Sequence, residues 1–208
     1  MSLGFLGIAF NSRVLSYDDE KTPLNLTGKK MLPIAEFIND SGQPSLSMNE
    51  SLDIIAKLDQ DNQLRVNETD RPKMEGLLTA LGENIHSLCM PYWIWTPEFS
   101  PASRQYFCQK KEMKRGPLRQ LLKHKVTFLN RLELDLEDLE PQLCPYYQSA
   151  KLSIADIMLA AHLWGLYIVP EFRFSAKMHT YLQTIKKECH FDYHRDFWEN
   201  SDLPSGWQ

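Results

Sequence analysis

The chain has 208 residues, 24% of them charged, with a formal net charge of -4 and a pI near 5.9. That length suits one or two domains, and the acidic balance argues against nucleic acid or an anionic membrane as the main partner. The longest apolar stretch, Ile154 to Val169, is interrupted by Asp156 and His162, so it reads as a buried core helix and not as a membrane span. The start of the chain carries neither a basic region ahead of an apolar core nor a small-residue cleavage site, which points to the cytoplasm. Four cysteines (Cys89, Cys108, Cys144 and Cys189) form no C-x-x-C pair and read as reduced, mostly buried thiols.

Residues 3–10 are short and apolar, consistent with the tail of a helix, and Arg13 to Tyr17 has the pattern of a strand. After the polar loop Asp18 to Thr22, Pro23 can open a short helix that Gly28 ends. Leu32 to Ile38 reads as a strand, Asn39 to Gly42 as a turn, and Ser45 to Met48 as a second strand. Apolar residues at Leu52, Ile55 and Ala56 give Glu50 to Leu58 helical spacing. Residues 61–71 are almost wholly polar and read as a linker between a first unit, 1–60, and a second, 72–208.

From Pro72 onward the periods are helical. One helix runs from Pro72 towards Pro91, a second starts at Ser100-Pro101, and a long one runs from Gly116-Pro117 through Leu139. Ser153-Ile154-Ala155-Asp156 opens an apolar helix, and a last one spans Ser175 to about Glu188. The expected class is therefore α+β: a small mixed unit followed by an all-helical one.

Two short stretches of the first unit carry chemistry. Pro33 has no amide hydrogen and holds Leu32 extended, so the Leu32 backbone can face a ligand instead of a neighbouring strand. Glu50 and Ser51 fall where a helix presents unpaired amides and the positive end of its dipole, a natural place for a carboxylate. The same pair is also ordinary capping chemistry, and X-Pro turns before strands are common. A backbone-pairing turn beside an anion-binding helix start is how thioredoxin-fold proteins hold glutathione. Elsewhere the signals are weaker. Cys144-Pro145-Tyr146-Tyr147 lies in a loop with no strand before it and no helix starting on it, so its thiol has no reason to be acidic. Cys189-His190 with His194 reads as a surface cluster and not a metal site. Cys89 to Trp95 reads as core or interface packing, with Tyr92 and Trp93 as candidates to line a cleft.

A Ser/Thr-x-Ala-Asp capping box opening an apolar helix in a second unit resembles the hallmark of the glutathione-transferase fold. The blocks Asp18 to Pro23, Gly28 to Ile34, Glu50 to Ile54 and Ser100 to Glu112 resemble the two-domain bacterial glutaredoxins of the glutaredoxin 2 family, over nearly the whole chain. The resemblance implies an incomplete thioredoxin-like N-terminal domain followed by an all-helical, glutathione-transferase-like C-terminal domain. It also implies that glutathione, as substrate or ligand and with no metal, is held by Leu32, Pro33, Glu50 and Ser51, with Lys30 a further contact for a carboxylate. The implied activity is glutathione-dependent thiol–disulfide exchange on glutathione and glutathionylated proteins. Members of the family begin with a strand leading into C-P-Y-C, which these residues lack. The sequence therefore reads as N-terminally truncated and inactive as it stands; the alternative is a non-catalytic binding or interaction module of the same fold.

Overall fold

The structure is a computed structural model that describes residues 1–39 and 41–192. Short helices α1 (Ser2–Phe5) and α2 (Lys21–Thr27) precede a hairpin of β1 (Ala35–Ile38) and β2 (Pro44–Met48), and α3 (Ser51–Leu58) follows. Six α-helices come next among the described residues: α4 (Arg71–Trp93), α5 (Pro101–Arg115), α6 (Leu118–Lys123), α7 (Lys125–Leu139), α8 (Ile154–Leu163) and α9 (Ala176–Glu188). The α+β class and the two-part layout of a small thioredoxin-like unit on a helical one are as the sequence implies.

Local chemistry sets most of the boundaries. Gly28 closes α2 in the left-handed region (φ 72°), where a Cβ would be strained. The Asp70 carboxylate accepts from the Lys73 amide at 3.1 Å to start α4. Ser100 and Ser175 cap α5 and α9 in the same way, accepting from the Ser103 and Met178 amides.

The core is built on α4 and α8. Helix α8 is apolar on nearly every side and is buried accordingly, with Leu159, Ala160 and Leu163 fully covered. It packs with Leu81, Ile85 and Leu88 of α4, Leu132 and Leu139 of α7, and Met178, Leu182 and Ile185 of α9. Ile55 of α3 joins this cluster, so the first unit is anchored to the helical one through its own helix. Between α3 and α4, Leu64 and Val66 are buried within an otherwise polar stretch. Asp59 accepts from the Gln63 and Leu64 amides (both 2.8 Å), and the Leu64 carbonyl accepts from the Ile154 amide at 2.8 Å. Helix α1 lies so close to the end of α9 that a Cβ on Gly4 would sit 1.9 Å from the Cys189 carbonyl oxygen. Among the described residues no helix is long and apolar enough to cross a membrane.

Three local expectations are corrected. Of the 3–10 stretch only Leu3 to Phe5 is helical, within α1. Arg13 to Tyr17 is not a strand: among the described residues the sheet has two strands, paired antiparallel, and nothing offers a ladder to this segment. The helix expected from residue 117 to 139 breaks at His124, which ends α6 and starts α7. Leu118 and Leu121 of α6 pack with Met90, Ile94 and Phe107, whereas Leu132 and Leu139 of α7 enter the main core. One straight helix could not face both clusters.

Candidate functional site

The hairpin brings the two candidate stretches together. Ala35 pairs with Met48 in antiparallel register, so Leu32-Pro33, just before β1, and Glu50-Ser51, just after β2, lie at the same end of the ladder. The Leu32–Pro33 peptide bond is cis. Leu32 is exposed, and among the described residues neither its amide nor its carbonyl has a protein partner. Thr27 ties the two stretches: its hydroxyl accepts from the Asn49 amide nitrogen Nδ2 at 3.2 Å and shares its proton between the carbonyls of Pro23 at 3.1 Å and Lys29 at 3.3 Å.

Glu50 sits at φ 71°, ψ 103°, a region that a residue with a Cβ rarely adopts. Its side chain caps nothing, and the Ser51, Leu52 and Asp53 amides that follow have no partner among the described residues. Glu50 and Ser51 are both exposed. An open helix start, an unpaired backbone and a carboxylate thus lie at one solvent-accessible corner. That corner can take a zwitterionic peptide-like ligand: a carboxylate on the helix amides, an ammonium beside Glu50, and a backbone group on Leu32. Backbone strain of this kind costs about 1–3 kcal/mol and persists at ligand clamps. Relieving it in Glu50→Gly is expected to raise stability by about 1 kcal/mol, after glycine's greater unfolded-state freedom is subtracted. A urea midpoint that falls would show that the conformation is not strained.

Lys30 is drawn elsewhere. Its ammonium donates to Glu20 Oε1 at 2.8 Å and to the Tyr106 hydroxyl, and lies 4.0 Å from the centre of the Tyr106 ring. Tyr106 in turn donates to Glu20, and Lys110 reaches the same carboxylate oxygen at 3.2 Å. The hydrogen bonds from Lys30, then Tyr106 and Lys110, hold the Glu20 carboxyl down at about 2. The sign follows: a depressed carboxylate adds stability above its ordinary range, and loses it as pH falls from about 4.5 through about 2.

Next to this cluster Ser103, fully buried on α5, donates to Asp18, and its oxygen lies 2.6 Å from that of Ser16. Tyr17 packs against Phe107 (ring centroids 5.0 Å apart), Phe99 (5.7 Å) and Tyr106 (6.0 Å). The blocks at 18–23, 28–34 and 100–112, far apart in sequence, therefore meet at one seam. Neither the Glu50 backbone nor the Lys30–Tyr106 contact carried a sequence signal of its own. The second links residues 76 apart.

All four cysteines are free. Burial pushes the Cys89 thiol up to about 12 and Cys189 up to about 11, and raises Cys108 as well. Cys144 is exposed in the loop between α7 and α8; the nearest following helix starts ten residues on, at Ile154. Among the described residues no three His, Cys, Asp or Glu side chains gather as metal ligands, and His194 lies outside those residues. Tyr92 donates to Glu171 at 3.3 Å, and Trp93 packs edge-on to His86 and covers Gly165. An open cleft of about 540 Å³ is lined by Gly82, Glu83, His86, Arg115 and His162 among others, none of them from the first unit.

A small αβ unit with an X-Pro turn before its hairpin, seated on a helical domain whose apolar helix opens with a capping box, is the layout of the two-domain glutaredoxin class. The comparisons agree. Residues 73–195 match the profile described as "Glutaredoxin 2, C terminal domain". Glutaredoxin 2 of Escherichia coli (strain K12) is 28% identical over 193 residues, covering 90% of this chain and 87% of the relative, and that of Escherichia coli O157:H7 matches equally. The crystal structure of glutaredoxin 2 from Salmonella typhimurium in complex with glutathione superposes with a TM-score of 0.79 at 28% identity, over 92% of this chain and 88% of that one. The chain belongs to the glutaredoxin 2 family.

Proposed function

We propose that this chain is a cytoplasmic, glutathione-binding protein of thiol–disulfide metabolism, and that its ligand site is the corner formed by Leu32, Pro33, Glu50 and Ser51. One observation carries the assignment: the unpartnered Leu32 backbone and the uncapped start of α3 open onto the same end of the hairpin. Glutathione offers groups for each part. A carboxylate meets the Ser51 amide and hydroxyl, the neighbouring ammonium meets Glu50, and a peptide group pairs with the Leu32 backbone, while Pro33 shapes the turn. Family membership and a relative solved with glutathione support the same ligand. Glutathionylated proteins are the corresponding macromolecular partners.

Calorimetry with reduced glutathione tests this. A lost charge-assisted hydrogen bond is worth roughly 1.5–3 kcal/mol, so Ser51→Ala and Glu50→Gln should each weaken binding by about one to two decades. Equal affinity in both variants would place the ligand elsewhere.

A second reading, a binding module without chemistry of its own, is favoured by the thiols. These 208 residues contain no C-x-x-C pair, three of the four thiols are pushed away from the thiolate, and Cys144 lies off any helix start. In the coupled assay with glutathione and glutathione reductase, the 208-residue chain should turn over no mixed disulfide above background. Activity that disappears in Cys144→Ser would overturn this.

A further inference from the structure

The assigned corner is built on a hairpin of nine strand residues, too little structure to fix a ligand-facing turn by itself. Two tethers act on the segment from Gly28 to Pro33. The inner one is Thr27, bonded to Asn49 and to the Lys29 carbonyl. The outer one is Lys30, two residues before Leu32, whose ammonium is engaged at once by Glu20 at the start of α2 and by Tyr106 of α5. Lys110, one turn further along α5, closes the cluster on the same Glu20 oxygen and lies 4.7 Å from the centre of the Tyr106 ring. The far end of the tether is well fixed. Phe107, beside Tyr106, is buried, and Ser103, one turn before it, is bonded to Asp18.

We propose that Glu20, Tyr106 and Lys110 are positioning residues for glutathione: they hold Lys30 and thereby fix the Leu32–Pro33 turn from the helical domain. The inference rests on the glutathione reading above. None of the three is needed to touch the ligand. Lys30, ion-paired to a carboxylate that it shares with Lys110, acts as a strut. Freeing it lets the turn sample orientations in which the Leu32 backbone no longer faces the corner, and affinity falls by the fraction of time spent there.

The test uses the full chain with Tyr106→Phe, which keeps the ring and its stacking but loses the hydroxyl, and Glu20→Gln, which keeps the shape but loses the charge. Each should weaken glutathione binding by about three- to tenfold, in the range of substitutions that act without touching a ligand. The double variant should be little weaker than either single one, because both break one network. In ¹H–¹⁵N spectra the glutathione-induced shift of the Leu32 amide should shrink in both variants while that of Ser51 is retained. A general loosening would reduce both shifts together, and that result overturns the proposal. So does affinity unchanged within twofold in both variants, an outcome that leaves the ligand assignment intact. If wild-type protein shows no glutathione-induced shift at either Leu32 or Ser51, the ligand assignment itself fails and the positioning role fails with it.

Discussion

Removing the Asp156 carboxylate is expected to cost about 3–5 kcal/mol, the range for breaking a buried, fully bonded charged group. Asp156 is completely buried, and its two oxygens serve four donors from three parts of the chain. Oδ2 accepts from the Ser153 amide at 2.9 Å and the Ser153 hydroxyl at 3.0 Å, completing the capping box of α8. Oδ1 accepts from the Tyr147 amide at 2.7 Å and the Tyr181 hydroxyl at 2.9 Å, binding the loop before α8 and the face of α9 to the same helix start. Asp156→Ala strands all four, the Ser153 and Tyr181 donors in buried positions, and a buried donor left unpaired costs about 1–3 kcal/mol. Tyr181→Phe removes one donor together with its need for an acceptor, and should cost only about 1 kcal/mol. Urea unfolding of both variants decides the matter. A loss below about 1 kcal/mol in Asp156→Ala with an unchanged urea slope would mean that the carboxylate is dispensable to the core.

The contrast between Asp156 and Glu50 shows what sequence can carry. The capping box at Ser153 was legible because its partners are three residues apart and the apolar helix that follows has a period of its own. The end of α2 and the starts of α5 and α9 were readable for the same reason: Gly28, Ser100-Pro101 and Ser175 act on backbone groups a few positions away, whereas α2 begins at Lys21, two residues before the Pro23 expected to open it. Leu32 and Ser51 could be picked out from proline chemistry and from the place of a helix start. What brings them to one end of the hairpin is the register that pairs Ala35 with Met48.

The rest lay in long-range geometry. The positive φ of Glu50 follows from how β2 must turn into α3, and the residue type gives no hint of it. Lys30 is a carboxylate contact by the resemblance alone, and no sequence pattern shows that within the chain its ammonium meets Glu20 and a tyrosine of the second domain. The break at His124 arises because α6 and α7 serve different clusters, and an uninterrupted helical period cannot reveal that. Arg13 to Tyr17 misled for the opposite reason. Its β-branched and aromatic residues fit a strand, but strand formation needs a neighbour with free backbone groups, and here Tyr17 packs on the rings of Tyr106 and Phe107 of α5 and of Phe99 just before it.

That segment gives the sharpest dynamic contrast in the molecule. Among the described residues, none of the amides from Arg13 to Tyr17 donates a hydrogen bond, and Val14 and Tyr17 are 50% and 37% exposed. Exchange there needs no opening of structure, so these amides should exchange close to the rate of an unstructured peptide. The amides of Ile157 to Leu163 lie within α8, in the centre of the core, and can exchange only through large-scale unfolding. For a domain of ordinary stability, about 5–15 kcal/mol, that separates the two sets by a factor of at least about 10³. The Tyr17 ring should nevertheless report a fixed environment, because Phe99, Tyr106 and Phe107 surround it. Hydrogen exchange followed by NMR reads both properties in one sample. Fast amides beside ring resonances shifted by their aromatic neighbours are the expected pair: a segment held by its side chain and not by its backbone. Protection of residues 13–17 matching that of α8 would mean that these amides are paired in solution by a partner outside the described residues, and would restore the segment as a strand.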